Sequence, residues 1–310
     1  MPSENPSTSR SWGADATLSQ TPPVSTFALD GPTRAIDKRV HAFRPDIADV
    51  ALAGTLFAPH YAAPMPRSAL ATVFMRSAAS ATAEAVSQLL PGEGFAVLEI
   101  TAGWAWGYSL HDHYVGYVET VHLGESVVPT HRISAREALV FADASIKAPV
   151  VATLPVGSRV SGTVEGAFLK TDFGHIHVRH VMPIDELAAD PVAVAELCLG
   201  MPYLWGGRGG DGIDCSGLVQ LALAAAGHSA PRDTDMQRRD IGVELADNEP
   251  LRRGDIVSFP GHVGLMVDAE RLIHANAHWM SVVIEPLADV VARLQPNHDR
   301  PILSRRRLTA

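Results

Sequence analysis

The chain reads as an α+β protein in which two small β-rich barrels precede a domain that opens in helices and closes in strands. Three observations carry this. Two stretches of short apolar segments are punctuated by turn residues, with glycines Gly92 and Gly157 at matching places. After Pro183 the texture changes to the Ala- and Leu-rich pattern DELAADPVAVAELCLG, which closes at Gly200 as a helix C-cap glycine does. From Leu251 the runs LRRGDIVSF, PGHVGLMV and RLIHA read as a turn followed by three successive strands.

Composition bounds the possibilities. The 310 residues are 46% hydrophobic and 19% charged with 25 glycines, ordinary for a globular chain long enough for two or three small domains. Thirty-four acidic against 25 basic side chains give a net charge of −9, the wrong sign for a nucleic-acid partner, whose phosphates call for clustered Lys and Arg. No apolar run approaches the ~18 residues of a spanning helix, so a membrane partner is excluded as well. The opening MPSENPSTSRSWGADATLSQTPP has neither the basic head nor the apolar stretch of a secretory signal, so a cytoplasmic location is expected.

In chain order, residues 1–33 are rich in Ser, Thr and Pro without hydrophobic period and read as a disordered tail. Residues 34–66 form an N-terminal arm with one short helix expected near Asp46 to Ala53. Residues 67–125 hold ATVFMR, FAVLEI, WAWGYS and VGYVETV around a turn at Pro91-Gly92, the first barrel. Residues 134–185 hold VVATL, SRVSGTV, AFLKT and HIHVRHV around a turn at Pro155-Val156-Gly157, which suggests a duplicate. Residues 187–310 form the third domain.

Two cysteines make neither a disulfide framework nor a four-ligand zinc site, and no metal or cofactor is expected. Cys198 has Ala193, Leu197 and Leu204 around it at apolar spacing and reads as core. Cys215 follows the glycine-rich approach YLWGGRGGDGID and sits in the first turn of a helix, SGLVQLALAAAG, that closes at Gly227. Free N–H groups and the positive end of the helix dipole stabilise an anion there, and thiols so placed fall to roughly 3.5–7.5 from ~8.5. Cys215 is therefore either a nucleophile or a small buried residue at a helix start. No Lys-Ser/Thr follows the glycines, so they are not a P-loop. A nucleophile needs a base and the base an orienting group. Successive antiparallel strands bring His262, at the start of one strand, beside His274 on the next, a Cys-His-His arrangement. His278 and His298 read as surface or packing residues.

Taken together, DCSGLVQ after YLWGG, then PRDTDMQ, RGDIVSF, HVGL and LIHA resemble the NlpC-type family of bacterial cell-wall cysteine peptidases, a compact papain-like fold. The turn glycine, apolar strand, tryptophan-bearing strand and closing GYV strand of the first barrel resemble bacterial SH3-like domains; the second copy lacks the tryptophan and tyrosines. The resemblance implies a papain-like catalytic domain behind two SH3-like barrels, with Cys215 as nucleophile, His262 as general base and His274 as the polar third residue. Family members of this layout cut the bond between γ-D-glutamate and a diamino acid in peptidoglycan peptides, and several require a free amino-terminal L-alanine. Carried over, Tyr203 and Trp205 line the pocket, Asp214, Ser216, Asp233 and Thr234 hold the peptide, and Glu93 and Tyr114 of the first barrel reach the substrate amine, with Glu99 and Tyr117 as alternatives. A buried ammonium must meet a carboxylate, for which Glu93, Asp214 and Asp233 are available; the Ser216 and Thr234 hydroxyls suit the α-carboxylate of D-glutamate. Arg232 reads as a solvated loop residue, and Asp233 has a second reading as the cap of the helix DTDMQRRD. The expected partner is a small peptide such as L-Ala-γ-D-Glu-diaminopimelate, met in wall-peptide recycling. A related thiol amidase or acyltransferase and a non-catalytic wall-binding protein are the rival readings.

Overall fold

The computed structural model describes residues 36–309; the expected tail, 1–33, lies outside the described residues. From Asp37 onward the chain forms one compact unit. It is mostly sheet, with four short α-helices among the described residues, so the expectation of an α+β chain understates its strand content.

The helix expected in the arm is absent. Ile47–Asp49 is a strand paired in parallel with His60–Ala62, and only the single 3-10 turn Val50–Leu52 follows it. The reason is local: the Asp49 carboxylate accepts the Ala51 N–H at 2.9 Å, offering the backbone an alternative to a helix too short to nucleate. The first sheet has seven antiparallel strands from Met65–Ala69 to Leu123–Glu125. Its core is Met75, Leu89, Phe95, Val97, Ala105 and Val118, supplied by period-2 alternation along its strands. The second β unit combines a five-stranded sheet with a three-stranded one, His131–Ile133 lying between Arg159–Val160 and Val181–Pro183.

The third domain opens with helix α1, Pro191–Glu196, shorter than the Ala-rich pattern suggested. Asp190 caps it by accepting the Val192 N–H, and Pro191 fixes its first turn, so the helix cannot extend back into residues 185–190. Helix α2, Cys215–Ala225, and helix α3, Thr234–Asp240, precede a six-stranded antiparallel sheet. In it Ile256–Phe259, His262–Met266, Arg271–Asn276 and Ser281–Pro286 are neighbours in sequence order. Leu218, Val219 and Ala222 of α2 pack on Val263, Leu265, Ile273 and Ala275. On the opposite face, Val290 of helix α4, Leu287–Leu294, packs on Val257, Phe259, Met266 and Leu272. With both faces covered, side chains of either parity are buried, as all four positions of Ile256–Phe259 are. No helix among the described residues is long and apolar enough to cross a membrane.

Candidate active site

The site is built outward from the start of α2. Asp214 caps the helix, accepting the Gly217 N–H at 2.7 Å. Its other oxygen accepts the Gly206 N–H at 2.9 Å. Gly206 has φ +76°, and a Cβ there would lie 2.9 Å from the Ala85 carbonyl oxygen, so the approach loop turns against the first sheet only as glycine. Arg232 closes on Asp214 with a two-pronged contact, 3.0 and 2.5 Å, and also donates to the Ser216 hydroxyl at 2.8 Å. At 2% exposure Arg232 is a buried strut, which corrects its reading as a solvated loop residue. The same pairing corrects Asp214: its carboxylate lines the cavity but is committed to Arg232 and two backbone N–H groups, and is not available to a substrate amine.

Cys215, 6% exposed, faces the same cavity of about 390 Å³. Burial, with the Asp214 carboxylate behind it, pushes the thiol up to about 12 against the pull of the Val263 and Ser216 N–H groups. The expected acidification by the helix start is therefore outweighed. Burial and the neighbouring His274 hold His262 down to about 3. Burial thus holds the thiol protonated and the imidazole neutral at rest.

His262 Nε2 lies 2.7 Å from His274 Nδ1, with ring centroids 4.9 Å apart. Gly264 makes this possible: it sits between the two on the His262 strand, and a Cβ there would lie 2.6 Å from Leu272 Cδ1 and 3.2 Å from His274 Cβ. His274 Nε2 in turn lies 2.8 Å from Glu285 Oε1. Glu285 is gripped by Arg293 at 3.1 and 2.5 Å and by the Trp279 indole N–H at 3.3 Å. Burial works against its charge, but Arg293, Trp279 and His274 prevail and hold it down at about 2. An ionised carboxylate only accepts, so His274 carries its proton on Nε2 and accepts at Nδ1. His262 then donates from Nε2, leaving Nδ1 as its lone-pair nitrogen. Asn276 Nδ2 also lies 3.0 Å from His274 Nε2, but a charge-assisted bond outweighs a neutral one.

Tyr203, Trp205, Ser216, Asp233, Thr234 and Tyr114 line the cavity with Cys215 and Asp214. Trp205 is 61% exposed and its indole N–H reaches Glu84 Oε1 at 3.1 Å. Asp233 makes no capping bond to α3. Its Oδ2 instead accepts the Tyr114 hydroxyl at 2.9 Å and Arg39 at 2.8 Å. Glu93 is not in this cavity. It is buried in a two-pronged pair with Arg208 at 2.6 and 3.1 Å, which holds it at about 2 despite burial. Its assignment to the substrate amine is corrected, and Glu99 does not replace it: Glu99 lines a separate pocket together with Tyr117, the alternative to Tyr114, both contacted by Arg44. The first sheet instead lends the cavity Glu84, at the foot of the strand Ala85–Leu89.

The NlpC/P60 family profile matches residues 200–293, and that of the bacterial dipeptidyl-peptidase SH3 domain matches residues 75–123. The chain carries an NlpC/P60 domain behind a bacterial SH3 domain. Among curated relatives, a gamma-D-glutamyl-L-lysine dipeptidyl-peptidase of Bacillus subtilis is 31% identical over 160 residues, 47% of this chain and 52% of that protein. Its namesake from Bacillus cereus is 34% identical over 108 residues, 32% of each. The chain thus spans about half of the first relative and a third of the second. A crystal structure of an NlpC/P60 family protein from Bacillus cereus superposes with TM-score 0.66 at 18% identity, over 79% of this chain and all of that one, a likeness of fold.

Five side chain-to-side chain pairs fasten the SH3 domain to the NlpC/P60 domain, beside the Gln88 side chain on the Arg208 N–H: Glu93–Arg208, Asp112–Gln220, Ser87–Arg232, Tyr114–Asp233 and Glu84–Trp205. The last two set Tyr114 and Glu84 of the neighbouring domain into the wall of the cavity. Sequence reasoning missed Glu285, Glu84, Arg39 and the burial of Arg232. Only Glu285 had a signal, an acid inside the apolar strand SVVIEP. Cys198 lies fully buried in the NlpC/P60 core, where burial pushes its thiol up to about 11.

Proposed function

We propose that this chain is a cysteine endopeptidase that hydrolyses the γ-D-glutamyl–diamino acid bond of small peptidoglycan peptides with a free amino terminus, such as L-Ala-γ-D-Glu-diaminopimelate. The observation that carries it is one cavity holding the Cys215 thiol and the carboxylates of Glu84, Asp233 and Asp235, walled by Tyr114 of the first sheet. An α-ammonium in such a cavity meets compensating charge. The names of the two Bacillus relatives, a dipeptidyl-peptidase acting on a γ-D-glutamyl-L-lysine bond, support the same reading.

The Cys215 sulfur attacks the γ-carbonyl of D-glutamate as His262 Nδ1 takes the thiol proton. The Cys215 N–H at the free end of α2 stabilises the oxyanion, with the Tyr203 hydroxyl, a protonated donor held up to about 12 by burial and nearby Cys215, as its partner. Collapse expels the diamino acid amine, which His262 protonates, and leaves L-Ala-D-Glu as a thioester on Cys215. Water, deprotonated by His262, then releases the dipeptide. A requirement for the free amine suits peptides already cut from the wall, hence turnover of small fragments inside the cell. The test is release of diaminopimelate from the tripeptide: Cys215→Ala abolishes it, and undiminished release by that variant contradicts the assignment.

A further inference from the structure

A second cavity, of about 130 Å³, lies between the second β unit and the C-terminal half of α2 and shares no residue with the Cys215 cavity. Ile133, Val156, Leu221 and Ala224 give it an apolar lining, and three arginines stand in its wall: Arg208, whose charge is cancelled by its partner Glu93, and the pair Arg132 and Arg159. They are direct cross-strand partners in the antiparallel pairing of His131–Ile133 with Arg159–Val160, so both side chains project from one face of the sheet. Like charges so placed repel. The carboxylate in the wall relieves them only weakly, because Glu93 is hydrogen-bonded by Arg208 and the Leu90 N–H and reaches Arg159 only through a minor long-range attraction. Arg132 donates to the Glu186 carbonyl, with the Glu186 carboxylate nearby. Among the described residues Arg159 has no side-chain hydrogen bond or ion pair; the contacts it makes run through its backbone.

We infer that this cavity binds a small amphipathic monocarboxylate. One guanidinium with its planar fork unused beside a second that is only partly occupied suits a single carboxylate, which takes both forks and removes the cross-strand repulsion. The apolar lining takes the tail: apolar cavities near 150 Å³ accept a benzene-sized body, so the fit is about six carbons. The excess of one positive charge, once Glu186 is counted against the two arginines, favours one anionic head over two.

Hexanoate is the probe, titrated into the full chain with methyl groups observed by NMR. Saturable shifts confined to methyls of the cavity lining, those of Ile133, Val156 and Leu221 among them, are expected, with 1-hexanol and acetate each binding about tenfold more weakly or worse, one lacking the charge and the other the tail. Arg159→Gln weakens hexanoate about tenfold, and Ala224→Leu, which fills the apolar end and leaves both arginines, does the same. Absence of saturable binding overturns the inference. So does hexanol binding as tightly as hexanoate, or affinity unchanged in either variant while the spectrum shows the fold intact.

Discussion

Glu285 Oε1 stands 2.8 Å from His274 Nε2, and that contact decides which nitrogen of His262 is free to act. The carboxylate dictates the tautomer of His274, and His274 dictates that of His262. Register explains how an acid eleven residues away comes into play: His274 opposes Val283 and Leu272 opposes Glu285, which puts Glu285 diagonally beside His274 on one face of the sheet.

Glu285→Gln keeps the shape but gives His274 a partner able to donate as well as accept. The tautomer is then no longer imposed, and kcat falls about 10- to 100-fold with KM little changed, a loss in the range of other orienting groups. Steady-state kinetics on the tripeptide checks this. A purely structural role would instead lower stability and leave kcat per folded molecule unchanged.

The pH profile carries a sign that follows from burial. His262 must be neutral to accept the thiol proton, and with its pKa lowered to about 3 it stays neutral far below the usual ~6.5 of histidine. The acid limb of kcat/KM therefore lies below about pH 5. On the alkaline side the thiol, held up to about 12, stays protonated, so the first loss comes where the substrate amine deprotonates, near ~8. An acid limb at or above 6.5 contradicts this.

Arg232→Ala leaves the buried Asp214 charge without its partner. Such truncations cost about 3–5 kcal/mol, so the urea midpoint drops sharply, whereas an arginine in a solvated loop would leave it within experimental error. The loss extends to activity, because Asp214 sets the first turn of α2 that presents Cys215.

Arg39 spans Asp37, Asp233 and Asp235, so on the proposed function it would compete with the substrate ammonium for the last two. These groups are a quarter to a half exposed, so the competition is modest. Arg39→Ala lowers KM for the free-amine peptide about 2- to 5-fold at low ionic strength, and the gain disappears in high salt. A KM that rises instead assigns Arg39 to holding Asp233 in place.

Much of the candidate site was legible because local rules converge there. A glycine-rich loop and a helix start mark Cys215, and successive antiparallel strands set His262 beside His274, while their roles were read from the family resemblance. What stayed hidden depends on contacts across domains. Glu93 and Glu84 are both acids of the first sheet, nine residues apart, and only packing shows that one meets Arg208 while the other borders the cavity. Arg232 sits among Pro, Asp and Thr, a loop composition, yet its side chain runs inward because Asp214 and Ser216 receive it. The thiol was misjudged for a related reason: the helix start is visible in sequence, whereas the burial that outweighs it is not. The arm helix failed at Asp49, whose side chain bonds its own backbone.

The most direct measurement is the rate of diaminopimelate release from L-Ala-γ-D-Glu-diaminopimelate beside the same peptide N-acetylated, each with the wild-type chain and with Cys215→Ala. A thiol peptidase whose cavity reads the amine through Asp233 and Glu84 cleaves the free peptide about 2- to 5-fold better at low ionic strength, the carboxylates being partly exposed so that each pair is worth up to about 1 kcal/mol, and neither peptide is cut by the variant. Equal rates on the two peptides, or release by Cys215→Ala, contradict it.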